Sequence, residues 1–449
     1  MSIELETCRI INFKSFRDTG HVKLNKFNVL IGPNGSGKTN FVDFFKFLKK
    51  ALVEVMSPHV PHLEWWSCKT IAWKNNERLP IGGELKFKLN NEYDIHYTVF
   101  FSCFGDSFKI ISERLTIEGI IKLERAGRVL KVIHDDSFIE SNRDEINRWL
   151  KEREYLLLYP HKKIIPDVDN LKEQTVILPS ENRSILSGHS ASYSYRNNLV
   201  LGIFSYSREQ EFIAFSPALE RKIKVIGKDG EREEKTIEPL LTGVLHELHS
   251  FIGRTVILRH PNVRAIQEPV PIKKEIMLKE DGSNLVNILY NWFIEKGKLP
   301  DRIEYAIRYL FPRFKLGFDT SYPSNIFMKV FEADTELLPP AIPDGFYKTL
   351  LILTAIEQKP SLLIIDEVEN SLHAEILEYL VDELKNSDTT VIITTHSPIV
   401  IDMVELEDLL IVEKNEETKL RRVEDPDKVR SELEELGITP SESWLYGKL

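Results

Sequence analysis

Residues 32–39 have the sequence GPNGSGKT, in which glycines, a lysine and a threonine are spaced as a phosphate-binding turn requires. Backbone N–H groups of such a turn point at anionic oxygens, and a helix that follows adds the positive end of its dipole. Lys38 would bridge the β- and γ-phosphates of a nucleotide, and the Thr39 hydroxyl would coordinate Mg²⁺. The residues that we expect to contact a nucleotide are Gly32, Asn34, Gly35, Ser36, Gly37, Lys38, Thr39 and Asn40. A plain glycine turn before a helix is the weaker alternative, because all eight positions match the pattern of a phosphate-binding turn.

Two acidic residues, Asp366 and Glu367, directly follow the apolar run 362–365. Asp366 is placed to hold Mg²⁺, and Glu367 is placed to orient the attacking water and take its proton. Taken alone, the pair could be two exposed acids at the end of a strand. Combined with a phosphate-binding turn, it predicts phosphoryl transfer to water, with Lys38 and Glu367 in catalytic roles.

A histidine, His396, follows the apolar run 391–395 and precedes a Ser-Pro pair. A single histidine is more often a polar residue that is satisfied at a strand end. Its position after the next apolar strand beyond Asp366 favours a contact with the γ-phosphate or with the attacking water. We therefore include His396 among the catalytic candidates.

The elements that would position these residues alternate between strand and helix. The apolar runs 27–31, 362–365 and 391–395 predict buried strands, and the periodicity of 346–357 and 374–384 predicts helices. This alternation predicts an α/β fold with a mostly parallel central sheet, in which ligands bind at the carboxyl ends of the strands. The three groups of candidate residues should therefore meet at one edge of the sheet, although most of the chain separates the phosphate-binding turn from the other two groups.

Other stretches predict different structure. Strict alternation of apolar and polar residues from 84 to 89, continued at 93–101 and 108–117, predicts an antiparallel β meander. Residues 135–313 are mixed and read as mostly helical.

The composition is that of an ordinary globular protein, with 449 residues, 42% hydrophobic residues and a net charge of −10. The acidic balance gives no global attraction to nucleic acid or to anionic lipid. The sequence has no apolar run long enough for a membrane span and no signal peptide, so we expect a cytoplasmic protein without a membrane partner. Cys8, Cys68 and Cys103 form no CxxC pair, so we expect neither a disulfide framework nor a cysteine-based zinc site.

Four stretches together resemble the ABC-type ATPases of the SMC and RecF branch. They are residues 11–16 (INFKSF), 32–39, 363–373 (LIIDEVENSLH) and 394–398 (TTHSP). The chain is most similar to the stand-alone AAA-family ATPases of bacteria and archaea. The motif DGSNL at 281–285 is also similar to one of that group.

The resemblance implies a P-loop ABC-type ATPase head, with the central sheet, the β meander and a helical lobe, that uses ATP and Mg²⁺. The head would be formed by both ends of the chain. We assign residues 1–134 and 331–424 to the two parts of the ATPase lobe, 135–330 to the helical insertion lobe and 425–449 to a C-terminal tail.

The resemblance also implies a homodimer that forms around ATP. In this family a signature segment of one subunit covers the nucleotide of the other, and Asp344 and Gly345 lie where it belongs. Pro343 stands where the family has a serine, so the hydroxyl contact with the γ-phosphate is missing. A simple Pro-Asp-Gly turn that begins a helix is the alternative. The resemblance further implies that Lys14 lines the nucleotide site.

Three functions are compatible with these motifs. The first is an ATP-operated clamp acting on DNA in repair or genome maintenance, which needs a basic stripe such as Lys122, Arg125 and Arg128, or Lys162 and Lys163. A solvated charged face is the alternative for those residues. The second is an ATPase sensor in a defence module that controls a separate effector nuclease. The third, the nucleotide-binding subunit of a transporter, is disfavoured by the long separation of the phosphate turn from Asp366.

Overall fold

A computed structural model describes residues 3–54, 60–152, 172–178, 180–181, 184–187, 189–196, 199–207, 210–227, 230–320 and 324–447. The chain divides into two compact units. The first contains Met1–Lys23 and Phe47–Gly253, and the second contains Leu24–Lys46 and Arg254–Leu449. These units are not the four segments assigned from the sequence, whose boundaries stay a prediction.

The strands of the described residues are β1 (Ile3–Phe13), β2 (Phe16–Asp18), β3 (Val22–Lys23), β4 (Phe27–Ile31), β5 (Ile81–Leu89), β6 (Tyr93–Phe104), β7 (Ser107–Ile117), β8 (Ile121–Ala126), β9 (Val129–His134), β10 (Glu173–Ile177), β11 (His189–Arg196), β12 (Leu199–Ser207), β13 (Gln210–Gly227), β14 (Gly230–Pro239), β15 (Thr255–Leu258), β16 (Val270–Pro271), β17 (Phe314–Asp319), β18 (Asn325–Glu332), β19 (Thr335–Leu337), β20 (Leu362–Ile365), β21 (Thr390–Thr395), β22 (Leu409–Lys414) and β23 (Thr418–Arg422).

The helices of the described residues are α1 (Lys38–Leu52), α2 (Cys68–Ile71), α3 (Asp136–Glu152), α4 (Leu240–Gly253), α5 (Val263–Gln267), α6 (Leu285–Lys296), α7 (Asp301–Leu310), α8 (Asp344–Glu357), α9 (Ala374–Lys385), α10 (Pro398–Asp402), α11 (Pro426–Leu436) and α12 (Pro440–Leu445). Single 3₁₀ turns lie at Leu63–Trp65, Trp73–Asn75, Ile185–Ser187, Pro339–Ala341 and Leu406–Asp408.

The first unit contains an antiparallel sheet in the order β10-β9-β8-β7-β6-β5-β1-β2, with β3 beside β1. Its middle strands cover the stretch where alternation predicted a meander. Leu85, Phe87 and Leu89 alternate with more exposed residues and are buried, because successive side chains of a strand point to opposite faces.

A second antiparallel sheet of the first unit, in the order β11-β12-β13-β14, lies within the stretch that we interpreted as mostly helical. The described part of residues 135–330 therefore contains long strands as well as helices. Valine, isoleucine, phenylalanine and tyrosine recur between residues 199 and 226, and these residue types favour strands. We gave this local preference too little weight.

The second unit is built on a six-stranded sheet in the order β15-β20-β21-β4-β22-β23. The strands from β15 to β22 run parallel, and β23 pairs antiparallel with β22. The four residues of β20 and the five of β4 are all buried, as is typical of parallel strands covered by helices on both faces. The mixed α/β architecture expected from the sequence is thus present.

Two cysteines of the first unit form a disulfide, which is contrary to our prediction. Cys68 at the start of α2 and Cys103 on β6 have Cα atoms 5.3 Å apart and are bonded. The spacing of cysteines along the chain could not indicate this pair, because the segment before β5 folds back over β6. Separately, no helix among the described residues is long and apolar enough to cross a membrane.

Candidate functional site

The turn between β4 and α1 has the conformation that its glycines permit. Gly35 and Gly37 have φ values of 77° and 115°, in the left-handed region that favours glycine. At Gly32, a Cβ atom would lie 2.4 Å from the backbone oxygen of Val412 on β22, so only glycine fits there. Tight packing against β22 therefore sets the course of the turn.

Lys38, the first residue of α1, is bound inside the turn. Its Nζ donates to the carbonyl oxygens of Gly32 and Pro33, at 2.6 and 3.2 Å. Burial lowers the pKa of Lys38, and the carboxylates of Asp366, Glu369 and Glu367 act against this shift. These acids can act on the lysine only because they lie close to it. The residues that we predicted from opposite ends of the chain are therefore brought together.

Ser36, in the same turn, has an unusual side chain. Its Oγ atom is buried and has no hydrogen-bond partner. Its carbonyl oxygen accepts a hydrogen bond from the Thr418 hydroxyl at 2.7 Å, which ties the turn to β23. A buried hydroxyl without a partner is costly, so a ligand oxygen in the turn would satisfy it.

Asp366 directly follows β20 and is held by Thr394 and Arg259, which come from the two neighbouring strands and their ends. Its Oδ1 accepts a hydrogen bond from the Thr394 hydroxyl on β21 at 2.5 Å. Its Oδ2 lies 3.4 Å from Nε of Arg259, which follows β15. Nη1 of Arg259 also contacts Oδ1 of Asp43 on α1, at 2.8 Å. Arg259 thus connects α1 with the end of β20.

Glu367 is half-buried and has a left-handed backbone, with a φ of 52°. Its N–H donates to the Thr394 hydroxyl at 2.9 Å, and its Oε2 accepts from the Asn370 side chain at 2.5 Å. An unfavourable backbone conformation held by several bonds is often found in catalytic segments. The carboxylate that we assigned as the base is therefore oriented by its neighbours.

His396 is positioned by Glu369. The His396 N–H donates to Oε1 of Glu369 at 2.9 Å, and His396 Nδ1 lies 3.1 Å from the same oxygen. With Nδ1 beside Oε1 of Glu369, the other ring nitrogen, Nε2, is left to contact a water molecule or a phosphate. The imidazole is 45% exposed, so a ligand can reach it.

Lys348 is a residue that sequence reasoning missed. It lies on α8 and is 8% exposed, and its Nζ donates to the backbone oxygen of Glu367 at 2.8 Å. Burial lowers the pKa of Lys348 to about 8, against the attraction of Glu369, Glu367 and Asp366. The sequence could have indicated Lys348 because it is a single lysine among the mostly apolar residues of α8.

Arg259 and Glu369 were also missed. Arg259 follows the apolar strand β15, as Asp366 follows β20, so the rule about strand ends could have indicated it. Glu369 was part of the quoted motif, but only the fold reveals that it contacts His396. Its Oε2 is buried and lacks a hydrogen-bond partner.

The predicted signature residues start α8. A Cβ atom on Gly345 would lie 2.8 Å from the backbone oxygen of Ser371, so this helix start packs closely on the segment after Glu367. The Phe346 N–H donates to the carbonyl oxygen of Pro343, at 2.9 Å, so it is already paired within the helix start. A cavity of about 280 Å³ is lined by Asp344, Lys348 and Asp366, together with His260, Pro261, Val263, Asn370 and Ser371. One chain therefore brings Asp344 near its own acidic pair.

Lys14 lies in the first unit, whereas the phosphate-binding turn lies in the second. Its N–H donates to Ile71 at 2.8 Å, and its Nζ lies 5.4 Å from the Trp65 ring centroid. Its role toward the nucleotide stays a prediction.

The first candidate for a basic stripe is interrupted at its middle residue, Arg125. The Arg125 side chain is fully buried, with Nη1 2.6 Å from Oε2 of Glu113. Lys122 lies 2.5 Å from Glu124, and Nε of Arg128 donates to Leu178. The second candidate, Lys162 and Lys163, lies outside the described residues.

The chain matches the profile of one protein family and is distantly similar to several solved structures. The profile of the family described as "AAA domain, putative AbiEii toxin, Type IV TA system" matches residues 27–175 and 182–402. No curated protein matches the sequence significantly.

Similar solved structures include heads of SMC proteins. One is an Smc head bound to the C-terminal winged-helix domain of ScpA, with 11% identity and a TM-score of 0.44 over 94% of this chain and 99% of that one. The SMC head domain from Thermotoga maritima gives 13% identity and a TM-score of 0.37 over 94% and 99% of the two chains. An Smc head domain with an extended coiled coil, bound to the C-terminal domain of ScpA from Pyrococcus furiosus, has 12% identity and a TM-score of 0.45. The match covers 97% of this chain and 100% of that one.

Proposed function

The chain belongs to the AAA-domain family whose profile it matches over most of its length, and on that premise we propose that it is a molecular switch that binds and hydrolyses ATP. Membership of this family confirms the resemblance to the AAA-family ATPases. The observation that carries the proposal is the meeting of Lys38 with the acidic residues after β20. Neither group alone indicates ATP, but together they match the needs of phosphoryl transfer.

The residues present fit a magnesium nucleotide. Thr39 and Asp366 offer hydroxyl and carboxylate oxygens, which are the ligands that Mg²⁺ prefers. The buried Ser36 hydroxyl offers a donor to a phosphate oxygen. The metal would neutralise charge on the phosphates when bound.

The catalytic steps can be assigned to residues of this chain. Lys38 now bonds to neutral carbonyl oxygens, and it would exchange them for the stronger charge-assisted bonds that phosphate offers. Glu367, held by Asn370, would orient a water molecule and accept its proton. His396, held by Glu369, would contact that water or the γ-phosphate.

The switch would act as a homodimer that forms around ATP. In this proposal Asp344 and Gly345 of one subunit contact the nucleotide of the other, with Pro343 in place of the family's serine. The N–H of Gly345, at the start of α8, is the group that would reach a phosphate.

The biological role has two candidates. Control of a separate effector in a defence module is favoured by the toxin–antitoxin description of the matching family. An action on DNA in repair or genome maintenance is supported by the resemblance to the SMC and RecF branch. It is weakened by the burial of Arg125, which removes one candidate contact with phosphate.

The proposal is tested with Glu367→Gln, which keeps the size of the side chain and removes the base. We expect the variant to bind ATP, to lose turnover by at least about a hundredfold, and to elute as a dimer only with Mg–ATP. Size-exclusion chromatography and phosphate release measure these effects. Glu378→Gln, at an exposed position of α9, is the matched control and should behave as the parent. Parental hydrolysis by Glu367→Gln would show that the base is wrongly assigned.

A further inference from the structure

Three side chains that bind soft divalent metals meet in the first unit, in the segment before β5 and on β6. They are His62, Cys68 and Cys103, which are 0%, 0% and 2% exposed. One ring nitrogen of the histidine and the two sulfurs all lie within 4.8 Å of one another. Ligand atoms around one tetrahedral zinc ion lie about 3.3 to 3.8 Å apart, so the two sulfurs, which are bonded here, would separate to that spacing once they are reduced.

The His62 ring has no hydrogen-bond partner, although it is fully buried. Both ring nitrogens of His62 are buried without a hydrogen bond. Burial of such a group without a partner is costly, and a ligand or ion is a common explanation.

A fourth side chain, Asp106, lies beside two of these three residues, His62 and Cys68. Oδ1 of Asp106, in the turn between β6 and β7, lies 3.8 Å from Nε2 of His62. The same oxygen accepts a hydrogen bond from the Cys68 N–H at 2.9 Å, which holds the carboxylate next to Cys68. Two thiolates, an imidazole and a carboxylate are a donor set that suits zinc.

We propose that His62, Cys68, Cys103 and Asp106 bind one zinc ion when the two cysteines are reduced. The site is independent of the ATPase function proposed above. Metal and disulfide exclude each other, because both need the same two sulfurs. The disulfide is then the oxidised, metal-free state of a zinc site.

A small-molecule disulfide can serve as the oxidant that converts the reduced, zinc-bound protein into the disulfide-bonded, metal-free protein. One protein thiolate attacks the small-molecule disulfide, whose S–S bond breaks and releases one small thiolate. The other protein thiolate then attacks the resulting mixed disulfide, so that the bond between Cys68 and Cys103 forms and the second small thiolate leaves. The oxidant takes up two electrons and leaves as two thiolates, and Zn²⁺ leaves with them.

The fold explains why a cross-link is useful here. The segment from 60 to 80 contains only α2 and two 3₁₀ turns, which are too short to be stable alone. Ile71 in this segment accepts the Lys14 N–H, and Trp65 packs on Phe47 with ring centroids 6.3 Å apart. A zinc ion or a disulfide would hold the segment against β6 and so fix both contacts.

The test uses the full chain, purified metal-free and reduced with a phosphine, and titrated with Zn²⁺ or Co²⁺. We expect one equivalent of zinc per chain, and a cobalt spectrum with tetrahedral d–d bands and a thiolate charge-transfer band. Cys68→Ser and Cys103→Ser should lose this binding. Cys8→Ser, which changes a cysteine outside the group, should keep it. Asp106→Asn should weaken it by at least about tenfold, and His62→Gln should alter the d–d bands.

The oxidised parent gives a comparison that needs no variant and no assumption about folding. It has the same sequence with the disulfide formed, and it should bind no zinc at this site. Oxidised glutathione added to the zinc-loaded protein should release one equivalent of metal. The proposal is overturned if the reduced parent binds no more zinc than the oxidised parent, or if the cobalt spectrum lacks the thiolate band.

Discussion

Single residues in the second unit gain their chemistry from neighbours that are distant in sequence. Lys348 is buried beside three carboxylates, and Arg259 joins Asp43 to Asp366. A charge placed this deeply is tolerated only with partners. These partners keep the acidic pair in place before any ligand arrives.

The first prediction concerns Lys348 and pH. Its pKa is lowered from 10.5 to about 8, so in this window the unfolded chain holds a proton that the folded chain has lost. The free energy of unfolding should therefore rise with pH between about 8 and 10.5 through this group, and below about 8 the folded chain bears the cost of the buried charge.

The measurement is the urea midpoint of the parent and of Lys348→Met at several pH values across that window. The urea midpoint of the parent should rise relative to that of Lys348→Met as the pH increases. Lys274→Met, at a side chain that is 82% exposed, is the control and should show no such trend. A constant difference between parent and Lys348→Met would contradict the prediction.

At the level of elements, the site is made by the ends of three adjacent strands. β20, β21 and β4 are neighbours in the sheet and run parallel, so the residues that follow them meet at one edge. Thr394 on β21 connects two of these ends, because its hydroxyl donates to Asp366 and accepts from the Glu367 N–H. The acidic pair is thus oriented by the strand beside it.

The second prediction is that Thr394→Val slows ATP hydrolysis by roughly a hundredfold, because Asp366 and Glu367 lose the group that positions them. Nucleotide affinity should change little, since the phosphate-binding turn is not altered. Phosphate release and binding of a fluorescent ATP analogue measure the two effects. Thr394→Ser keeps the hydroxyl and should retain most of the activity; equal turnover of the two variants would refute the argument.

At the level of the whole molecule, the proposed dimer places parts of two chains at each nucleotide. This can be separated from a site within one chain by mixing two inactive variants. Lys38→Ala removes the phosphate contact, and Asp344→Ala alters the signature. If each site combines Lys38 of one chain with Asp344 of the other, a mixed dimer has one intact site.

The third prediction is therefore that the mixture regains activity. About a quarter of the parental rate is expected, because about half of randomly assorted dimers are mixed and each has one working site. Phosphate release by the mixture, against each variant alone, is the measurement. If the mixture is no more active than the sum of its parts, Asp344 serves its own chain, in whose cavity it lies.

The sequence alone was informative where short motifs have a local physical meaning. Residues 32–39 can bind phosphate because their glycines free the backbone, and buried strands are recognisable from continuous apolar runs. From these local rules the sequence also indicated which strand ends should converge. The strands between 189 and 239 were missed because we gave local strand preference too little weight.

Only the tertiary structure decided which distant groups touch. Arg259 reaches both Asp43 and Asp366, Lys348 enters the acidic cluster, and Glu369 holds His396. Spacing between cysteines likewise gave no hint of the pairing of Cys68 with Cys103. Electrostatic interactions and covalent bonds depend on distance in space, and a chain that folds back on itself sets those distances independently of its order.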